Sequence, residues 1–467
     1  MGKVLIAMSG GVDSSVAAYL LKHSGWDCVG ATMTLYRNED IGISHSRTCC
    51  SLEDVEDARS VAFRLRIPYY VFNFSDEFRR QVMDRFADAY GQGRTPNPCI
   101  DCNRYLKFRR LYDRAALLGC DTIATGHYVR IERENGRYLL KKALDASKDQ
   151  SYVLYMLTQE QLAHTQFPLG ALRKAETRQL ADSLGFFNAR KPDSQDICFV
   201  PDGDYAAFIR RHTGKADTPG DFVDESGRIL GRHKGIAHYT IGQRKGLGIP
   251  FNQPLYVKAI DLKSNQVILS GNDALFSQQL TGENFNWIAW EAPPRQFRCS
   301  ARIRYRQTEQ PCEVTVEEDG SVQVLFDRPQ RAITPGQAVV LYDGDTVLGG
   351  GTILWPMAAA QKTSGKVEPF HWFFSFYQVS SVSSAEAIRF RAWSQMALKV
   401  WSLMSCSILQ ASSSAVSGST PKLTRKRVRV RCRWSILDAI CIPASVNVMR
   451  PSLSISIYPF SRRRLVA

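Results

Sequence analysis

The chain opens with an unbroken run of apolar residues followed by a small polar stretch. Residues 3–8 are apolar after Lys3 and show no alternation, which predicts a strand buried on both faces of a parallel sheet. Residues 16–21 are apolar at helical spacing and are followed by Gly25, which indicates a helix ending near that glycine. The glycine- and serine-rich stretch 9–15 lies between them, so the pattern predicts strand, tight turn and helix.

The same alternation of apolar strands and amphipathic helices continues to about residue 200. Further strands are predicted at 28–33, 68–72 and 122–128, and helices at 53–65 and 78–90. This order is typical of a doubly wound parallel α/β sheet, in which ligands bind beyond the carboxyl ends of the strands. We expect residues 9–15, Met33 and the pair Gly126–His127 to lie together at that edge.

The pattern changes after residue 200. Residues 201–275 hold short elements separated by glycine and proline, which predicts a small central α+β or β domain. Within them, residues 231–248 are rich in glycine and basic side chains, which fits either a solvated loop or a contact surface for a phosphate backbone. Residues 276–357 alternate in short strands, predicted at 302–305, 312–316, 322–326 and 338–342, which indicates a small β-barrel. The first domain is then 1–200.

Residues 358–467 do not resemble a folded domain. They carry 16 Lys or Arg and three Asp or Glu, whereas residues 1–357 carry 44 and 42 and are nearly neutral. One interpretation is a basic tail that binds RNA. The other, which we favour, is a stretch that is not a selected sequence, such as out-of-frame translation, and loss of activity on ending the chain near Met357 would reject it.

Composition limits the class of protein. A length of 467 residues predicts about three domains. No apolar run reaches the length that spans a bilayer, and the chain enters its first strand without a signal peptide, so we expect a cytoplasmic protein. Twelve cysteines in such a chain indicate thiol chemistry or metal binding rather than a disulfide scaffold.

The turn Ser9–Ser15 has the properties of a phosphate-binding loop. Gly10 and Gly11 let backbone N–H groups approach an oxyanion, the serines add hydroxyl donors, and the next helix directs its positive end at the same place. No Gly-Lys-Ser/Thr follows, so this is not a Walker A loop. A plain tight turn is the alternative, and the complete seven-residue string favours phosphate binding over it.

Two cysteine-containing segments are candidates for chemistry. In residues 94–103, prolines on either side of Asn97 stiffen the loop that presents Cys99, and neighbouring basic residues favour its thiolate. Cys99 and Cys102 also fit half of a zinc or iron–sulfur site completed by Cys49–Cys50, or a redox pair, and we consider both less well supported. Cys198 follows Asp193, Gln195 and Asp196 in the second segment, whereas Cys28, Cys120, Cys299 and Cys312 are interpreted as packing residues.

Eight strings together resemble one family. They are SGGVDS at 9–14, RTPNPCIDCN at 94–103, ATGHY at 124–128, KDQSYVL at 148–154, SQDICFV at 194–200, YTIGQRKGLG at 239–248, RYRQ at 304–307 and PGQAVVLY at 335–342. In this order they resemble the tRNA-specific 2-thiouridylases of the PP-loop ATP pyrophosphatase superfamily, whose first domain is similar to the adenine nucleotide alpha hydrolases. The resemblance covers roughly residues 1–356.

The resemblance implies an enzyme that adenylates the C2 oxygen of the tRNA wobble uridine with ATP and then replaces it with sulfur. By the family pattern, Cys198 carries a persulfide delivered by a sulfur-relay protein. Cys99 is then the catalytic thiol, able to form a transient disulfide with Cys198, and the role of Cys102 stays open. Asp13 is a candidate contact for Mg²⁺. The resemblance implies no membrane partner, and we expect a monomer.

The family pattern also assigns two sets of binding residues. The residues expected to bind ATP are Ala7, Met8, Ser9, Gly10, Gly11, Val12, Asp13, Ser14, Met33 and Gly126. The residues expected to contact tRNA are Arg94, Thr95, Pro96, His127, Lys148, Asp149, Gln150, Arg304, Tyr305 and Gln337. Of these, residues 94–96 would border the target base, which must leave its stack to be reached.

Two other functions compete with this one. A PP-loop synthetase that forms an amide or amidine would need no pair of catalytic cysteines, so Cys99→Ser or Cys198→Ser would spare its activity. A non-catalytic RNA-binding protein that uses the barrel and the basic loops would release no pyrophosphate from ATP in the presence of tRNA.

Overall fold

The computed structural model describes residues 2–41, 52–193, 197–250 and 253–354. These residues belong to one compact unit. The predictions for the basic tail, for Cys49–Cys50 and for Gln195 and Asp196 lie outside the described residues.

The strands of the described residues belong to three sheets. In chain order they are β1 Lys3–Ala7, β2 Asp27–Thr34, β3 Tyr69–Asn73, β4 Thr122–Thr125, β5 Val129–Glu134, β6 Arg137–Lys142, β7 Thr165–Gln166, β8 Gly220–Val223, β9 Ile229–His233, β10 Tyr256–Asp261, β11 Gln266–Ser270, β12 Phe276–Trp287, β13 Gln296–Arg302, β14 Gln310–Val316, β15 Val322–Arg331, β16 Ala338–Asp343 and β17 Thr346–Ile353.

The helices lie mainly in the first 213 residues. In chain order they are α1 Val12–His23, α2 Leu52–Arg64, α3 Ser75–Phe78, α4 Asp84–Gly91, α5 Pro98–Asp101, α6 Leu111–Leu117, α7 Gln159–Ala163, α8 Lys174–Ser183 and α9 Tyr205–Thr213. The π-helical stretch Arg79–Met83 joins α3 to α4, and a second one, Cys102–Arg110, joins α5 to α6. Single 3₁₀ turns lie at Asn38–Ile41, Ser151–Val153, Ile236–His238 and Asp273–Leu275.

The first sheet is parallel, with the strand order β3-β2-β1-β4-β7. Side chains of β1 alternate between two apolar clusters, because Val4 and Ile6 pack on one face and Leu5 packs on the other. Helices α1, α2 and α8 contribute to the first cluster, and α4 and the helix over 98–117 contribute to the second. The prediction of a doubly wound α/β sheet is confirmed.

The two remaining sheets also confirm the predicted classes. Strands β8 to β11 form a four-stranded sheet after α9, in the order β10-β11-β8-β9. Strands β12-β15-β14-β13-β16-β17 follow one another, and β12 also pairs with β17, which closes a six-stranded barrel. Closure leaves no free edge among these strands.

One predicted barrel strand is wrong. Residues 302–305 were expected to form a strand, but β13 ends at Arg302 and the chain turns over residues 303–306. The Gln307 side chain accepts the Ile303 N–H at 3.1 Å, and the backbone N–H of Gln307 donates to the Arg304 carbonyl at 3.2 Å. These local bonds replace the sheet ladder and present Arg304 and Tyr305 on a turn.

The hairpin β5–β6 was not predicted, and it joins the first domain to the barrel. It extends the barrel sheet through a pairing of Thr346 with Lys141. Arg130 reaches Asp345 across this junction, and the Lys142 ammonium donates to the Gly344 carbonyl at 2.7 Å. The hairpin directly follows β4 and the Gly126–His127 turn, so the barrel is anchored beside the carboxyl edge of the parallel sheet. In the described part of the chain, no helix is long and apolar enough to cross a membrane.

Candidate active site

The turn between β1 and α1 is built around one glycine in a left-handed conformation. Gly10 has a φ of +74°, and a Cβ there would lie 2.4 Å from the Asp54 carbonyl oxygen. Ser14 Oγ donates to the Gly11 carbonyl at 3.0 Å and accepts the Ser9 N–H at 3.2 Å. The turn is therefore closed by its own hydroxyl groups, and only glycine fits at position 10.

The turn after β4 touches the phosphate-binding loop directly. A Cβ on Gly126 would lie 2.8 Å from both Asp13 C and Ser14 N. Strands β2 and β4 both pair with β1 in parallel register, with Ala7 opposite Ala31 and Thr125. Met33, two residues further along β2, therefore ends at the same edge. The structure therefore brings the residues predicted to bind nucleotide together at one edge of the sheet.

Asn188 supports the loop from behind, and sequence reasoning missed it. Its side chain is 3% exposed and donates to the Gly10 carbonyl and to Ser15 Oγ, both at 2.9 Å. It reaches the loop from 178 residues away in sequence. No local pattern marks such a residue, because its role depends entirely on the packing of the segment after α8.

Asp13 is the acidic centre of the loop and has two partners in the structure. Lys174 Nζ lies 2.7 and 2.8 Å from its two carboxylate oxygens, and the Tyr128 hydroxyl donates to Oδ1 at 2.8 Å. Lys174 is buried and begins α8. The sequence analysis did not single out Lys174 or Tyr128 as partners of this carboxylate.

Lys174 also binds Asp193, which precedes the Cys198 segment. Its Nζ lies 2.8 Å from Asp193 Oδ1, and Lys148 and Arg178 bind the same carboxylate at 2.9 and 2.8 Å. Burial alone would raise the pKa of Asp193, but the hydrogen bonds from Lys148 and Lys174 outweigh burial and hold that pKa at about 2. Asp193 is therefore an anion at neutral pH. Through Lys148 and Lys174 it links the KDQ segment, residues 148–150, to the phosphate-binding loop.

Cys99 lies at the exposed start of a helix that continues to residue 117. Asn97 is the N-cap and accepts the Cys99 N–H at 3.1 Å, and Pro98 occupies the first helical position. The thiol is exposed, whereas Cys102, one turn later, is half-buried. The positive end of the helix stabilises a thiolate at position 99.

Cys198 and the Cys99 helix pack on the same element, α4. Arg85 pairs with Asp101 at 3.3 Å, and the adjacent Phe86 contacts the ring of Phe199 with 5.3 Å between centroids. The Tyr36 hydroxyl donates to the Cys198 carbonyl at 2.6 Å, and the Cys198 side chain is half-buried.

Cys102 shares a core cluster with Cys198. Both side chains are half-buried and pack against the apolar cluster on the α4 face of the sheet. Cys99 is not among the side chains of that cluster. Exposure and position on the helix favour Cys99 as the reactive thiol, and membership of the cluster that also holds Cys198 favours Cys102.

The barrel approaches the Cys99 loop from the other side. The Gln337 side chain donates to the Thr95 carbonyl at 2.8 Å, and the Thr95 N–H donates to the Pro335 carbonyl at 2.9 Å. Burial raises the pKa of Tyr305, and the nearby negative charge of Asp149 adds to this effect. The structure thus brings Thr95 of the 94–96 loop and Gln337 of the barrel into direct contact, four residues before Cys99.

Other residues predicted to contact tRNA are occupied by internal bonds. Gln150 Oε1 accepts the Tyr128 N–H at 2.9 Å, and Arg304 donates to the Ala332 carbonyl at 2.6 Å. The carboxylate of Asp149 is 1% exposed and binds Arg302 at 2.9 Å. His127 is also buried, with Nδ1 at 2.6 Å from Thr125 Oγ1. The side chains of His127 and Asp149 therefore lie beneath the surface of this structure and are not exposed on it.

His127 gives the fold a defined response to acid. Burial, and then the charge of Lys107, lowers its pKa well below the ordinary 6.5. Below about pH 6.5, His127 binds a proton in the unfolded chain but stays neutral in the native chain. We therefore expect the free energy of unfolding to fall as pH decreases, with a slope approaching ~1.4 kcal/mol per pH unit. Denaturant titrations between pH 7.5 and 5 should show a shallower dependence in His127→Gln. Equal slopes in the two proteins would contradict this.

The Asp149–Arg302 pair holds the KDQ segment to the barrel. Asp149→Ala leaves Arg302, whose side chain is 15% exposed, with only Glu309 as an anionic partner. We expect a loss of ~3–5 kcal/mol in the free energy of unfolding, because breaking a buried pair strands a charge. The matched control is Asp327→Ala, which breaks an exposed pair with Arg298 at 2.7 Å and should cost far less, because solvent screens that pair. Similar losses in the free energy of unfolding of the two variants, measured by denaturant titration, would contradict a stabilising role for the buried Asp149–Arg302 pair.

The remaining cysteines are placed as predicted for packing residues. Cys28, Cys120 and Cys312 are buried and Cys299 is half-buried. Across the described ranges, no group of three or more His, Cys, Asp or Glu side chains is arranged to hold a metal ion.

Comparison with known proteins covers the three parts of the described chain. The family described as tRNA methyl transferase HUP domain matches residues 2–202, its PRC-barrel domain matches residues 206–271, and the aminomethyltransferase β-barrel domain matches residues 277–353. A solved 4-thiouridine synthetase–RNA complex with bound ATP is 22% identical over 43% of this chain and 45% of that chain, with a TM-score of 0.30, too low to argue from.

The similar curated proteins carry one functional name. The tRNA-specific 2-thiouridylase MnmA 1 of Thermoanaerobacter sp. (strain X514) is 54% identical over 354 residues, which covers 75% of this chain and 97% of that protein. The tRNA-specific 2-thiouridylase MnmA of Lachnoclostridium phytofermentans is 51% identical over 356 residues, covering 76% of this chain and 100% of that protein. At this identity and coverage, the chain belongs to the tRNA-specific 2-thiouridylase family.

Proposed function

We propose that this protein uses ATP to replace the C2 oxygen of the wobble uridine in tRNA with sulfur. The observation that carries the proposal is that two sets of residues with the needed chemistry lie in the first domain and are linked through Lys174. One is the phosphate cradle of residues 9–15 and Gly126, whose Asp13 shares the Lys174 ammonium with Asp193, five residues before Cys198. The other is the pair of cysteine segments packed on α4, with Gln337 of the barrel bonded to Thr95 in the loop before Cys99.

The chemistry needs both sites, because a carbonyl oxygen is a poor leaving group. In the first step the uracil C2 oxygen attacks the α-phosphorus of ATP, the bond to the β-phosphate oxygen breaks, and pyrophosphate leaves. In the second step sulfur attacks C2, and AMP leaves with the uracil oxygen. The activated base is thus trapped by whichever sulfur nucleophile lies beside it.

We assign the sulfur to a persulfide on Cys198 supplied by a persulfide-carrying protein. Its terminal sulfur bonds to C2, and the Cys99 thiolate then attacks Cys198 Sγ, so that the S–S bond to the transferred sulfur breaks as a Cys99–Cys198 disulfide forms. The electron pair of the broken bond stays on the transferred sulfur. A thiol reductant must return both cysteines to thiols before the next cycle.

The phosphate cradle would serve the first step in two ways. Backbone N–H groups of the loop and the start of α1 would hold the phosphates, and Met33 and Gly126 would border the rest of the nucleotide. Asp13 would contact Mg²⁺, which binds carboxylate and phosphate oxygens and supplies positive charge against the leaving pyrophosphate. We propose residues 1–200 as this catalytic domain, with 201–275 and 276–357 as tRNA-contacting domains.

Cys102 is the competing thiol, since its side chain packs against the same apolar cluster as that of Cys198. Single-turnover thiolation with Cys99→Ser and Cys102→Ser separates the two assignments. We expect Cys99→Ser to block sulfur transfer and Cys102→Ser to retain it. The reverse result would assign the catalytic role to Cys102, one helical turn after Cys99, and leave the rest of the proposed reaction unchanged.

The test of the function is nucleoside mass spectrometry after incubation of the full chain with tRNA, Mg-ATP and a protein persulfide donor. We expect 2-thiouridine at the wobble position, and none when ATP or the donor is omitted. A tRNA with cytidine at that position is the matched control and should gain no sulfur. Pyrophosphate release without thiolation of any tRNA would favour the synthetase alternative, and no pyrophosphate release would favour the RNA-binding one.

A further inference from the structure

The ammonium of Lys174 lies between two carboxylates where a cation would be expected. It is 2.7 and 2.8 Å from the oxygens of Asp13 and 2.8 Å from Asp193 Oδ1, so the two carboxylates are separated by no more than twice that distance. The Lys174 side chain is 10% exposed. Two partly exposed anions that converge on one buried ammonium form a geometry that a divalent cation also satisfies.

The surroundings keep Lys174 in this position. Its backbone N–H donates to Asp145 Oδ2 at 3.0 Å at the start of α8, and its Nζ lies 5.7 Å from the centroid of the Tyr128 ring. The Tyr128 hydroxyl donates to Asp13 and also to Thr177 Oγ1, one turn further along α8. Helix α8 and the phosphate-binding loop are thus connected through Asp13 by two side chains, one charged and one neutral.

The two carboxylates differ in how much they depend on Lys174. Asp193 keeps Lys148 and Arg178 as partners if Lys174 moves. Asp13 would keep only the neutral Tyr128 hydroxyl among the partners described above. Release of the ammonium therefore exposes one uncompensated anion, Asp13, directly beneath the phosphate cradle.

We propose that Lys174 is a positioning residue that neutralises Asp13 while the loop is empty and exchanges that carboxylate for a divalent cation when ATP binds. The ammonium then turns to the phosphates with Asp193 as its remaining anchor. This exchange keeps the empty loop from holding a cation and makes the cation site complete only in the presence of nucleotide. The inference rests on the proposed use of ATP. It assigns a role to Lys174, which lies outside the eight strings that resemble the family.

The first test measures Mn²⁺ binding to the full chain without nucleotide, by electron paramagnetic resonance of the free ion. We expect Lys174→Met to bind Mn²⁺ at least about tenfold more tightly than the unchanged protein, because the substitution removes the cation paired with Asp13 and leaves that carboxylate uncompensated. Lys174→Met combined with Asp13→Asn should lose the gain. Lys148→Met, which removes a partner of Asp193 but not of Asp13, is the matched control and should not show it.

The second test measures ATP binding in EDTA by calorimetry. Lys174→Met should weaken metal-free binding by about tenfold or more, since the loop then presents an uncompensated carboxylate to a polyanion. Lys174→Arg, which keeps the charge, should restore most of the affinity. A purely structural lysine would lower the melting temperature without changing either affinity.

An unchanged Mn²⁺ affinity in Lys174→Met, or an unchanged metal-free ATP affinity, would overturn the proposal. If Lys174→Met fails to fold, Lys174→Gln carries the same measurements, because its amide can still donate to Asp13. Neither measurement involves tRNA or sulfur. A protein that passes both and makes no 2-thiouridine would reject the proposed function and leave the exchange standing.

Discussion

Cys198→Ser is expected to abolish thiolation while leaving pyrophosphate release intact. Serine keeps the size of the side chain and the backbone carbonyl that accepts the Tyr36 hydroxyl at 2.6 Å, so the segment should stay in place. It removes the sulfur proposed to carry the persulfide, and we expect 2-thiouridine formation to fall by at least ~10³-fold, as for loss of an enzyme nucleophile. Pyrophosphate release in the presence of tRNA and ATP should continue, because adenylation precedes sulfur transfer in the proposed reaction.

The matched control for this prediction is Cys299→Ser in the barrel, a half-buried cysteine outside the proposed chemistry. It should thiolate tRNA at the rate of the unchanged protein. Full thiolation by Cys198→Ser would remove the persulfide assignment. If Cys198→Ser lost both pyrophosphate release and thiolation, Cys198 would act before the base is activated, contrary to the order proposed.

Gly126→Ala is expected to remove most ATP-dependent activity through sterics alone. Its Cβ would lie 2.8 Å from backbone atoms of both Asp13 and Ser14, which cannot move without displacing the start of α1. Overpacking of this kind costs ~1–3 kcal/mol, so we expect ATP affinity to fall by roughly ten- to a hundredfold. Pyrophosphate release should fall in parallel, because we propose that the same loop holds the phosphates.

The matched control is Gly91→Ala at the end of α4, where a Cβ would meet nothing within 4 Å. It should bind ATP normally and be at least as stable, since alanine favours a helix. Calorimetric titration with ATP compares the two variants. Normal affinity in Gly126→Ala would mean that the nucleotide does not bind where β4 meets the phosphate-binding loop.

Local patterns were sufficient to predict the parts of the fold that repeat a simple period. The continuous apolar run of β1 follows from burial on both faces of the sheet, and the apolar spacing of α1 follows from packing against one of those faces. Both elements form where expected. The predicted strand at 302–305 failed because the Gln307 side chain satisfies the backbone of Ile303 and turns the chain. A short apolar and basic string does not reveal such a side chain bond in advance.

The candidate site was predictable only where a motif is continuous in sequence. The loop at 9–14 and the segment at 94–103 are single strings, so their roles can be inferred from the residues themselves. Lys174 reaches Asp13 from 161 residues away, and Asn188 reaches Gly10 from 178. Their positions depend on how α8 packs beside α1, which the period of neither helix specifies.

The most direct test of base activation follows the uracil oxygen. A tRNA whose wobble uridine carries ¹⁸O at C2 is thiolated in a single turnover by the full chain with unlabelled ATP and a persulfide donor, and the AMP is weighed by mass spectrometry. If adenylation of the C2 oxygen precedes sulfur attack, each 2-thiouridine formed yields one AMP that carries the ¹⁸O. Thiolated tRNA accompanied by unlabelled AMP would show that the oxygen leaves by another route, and would contradict the account.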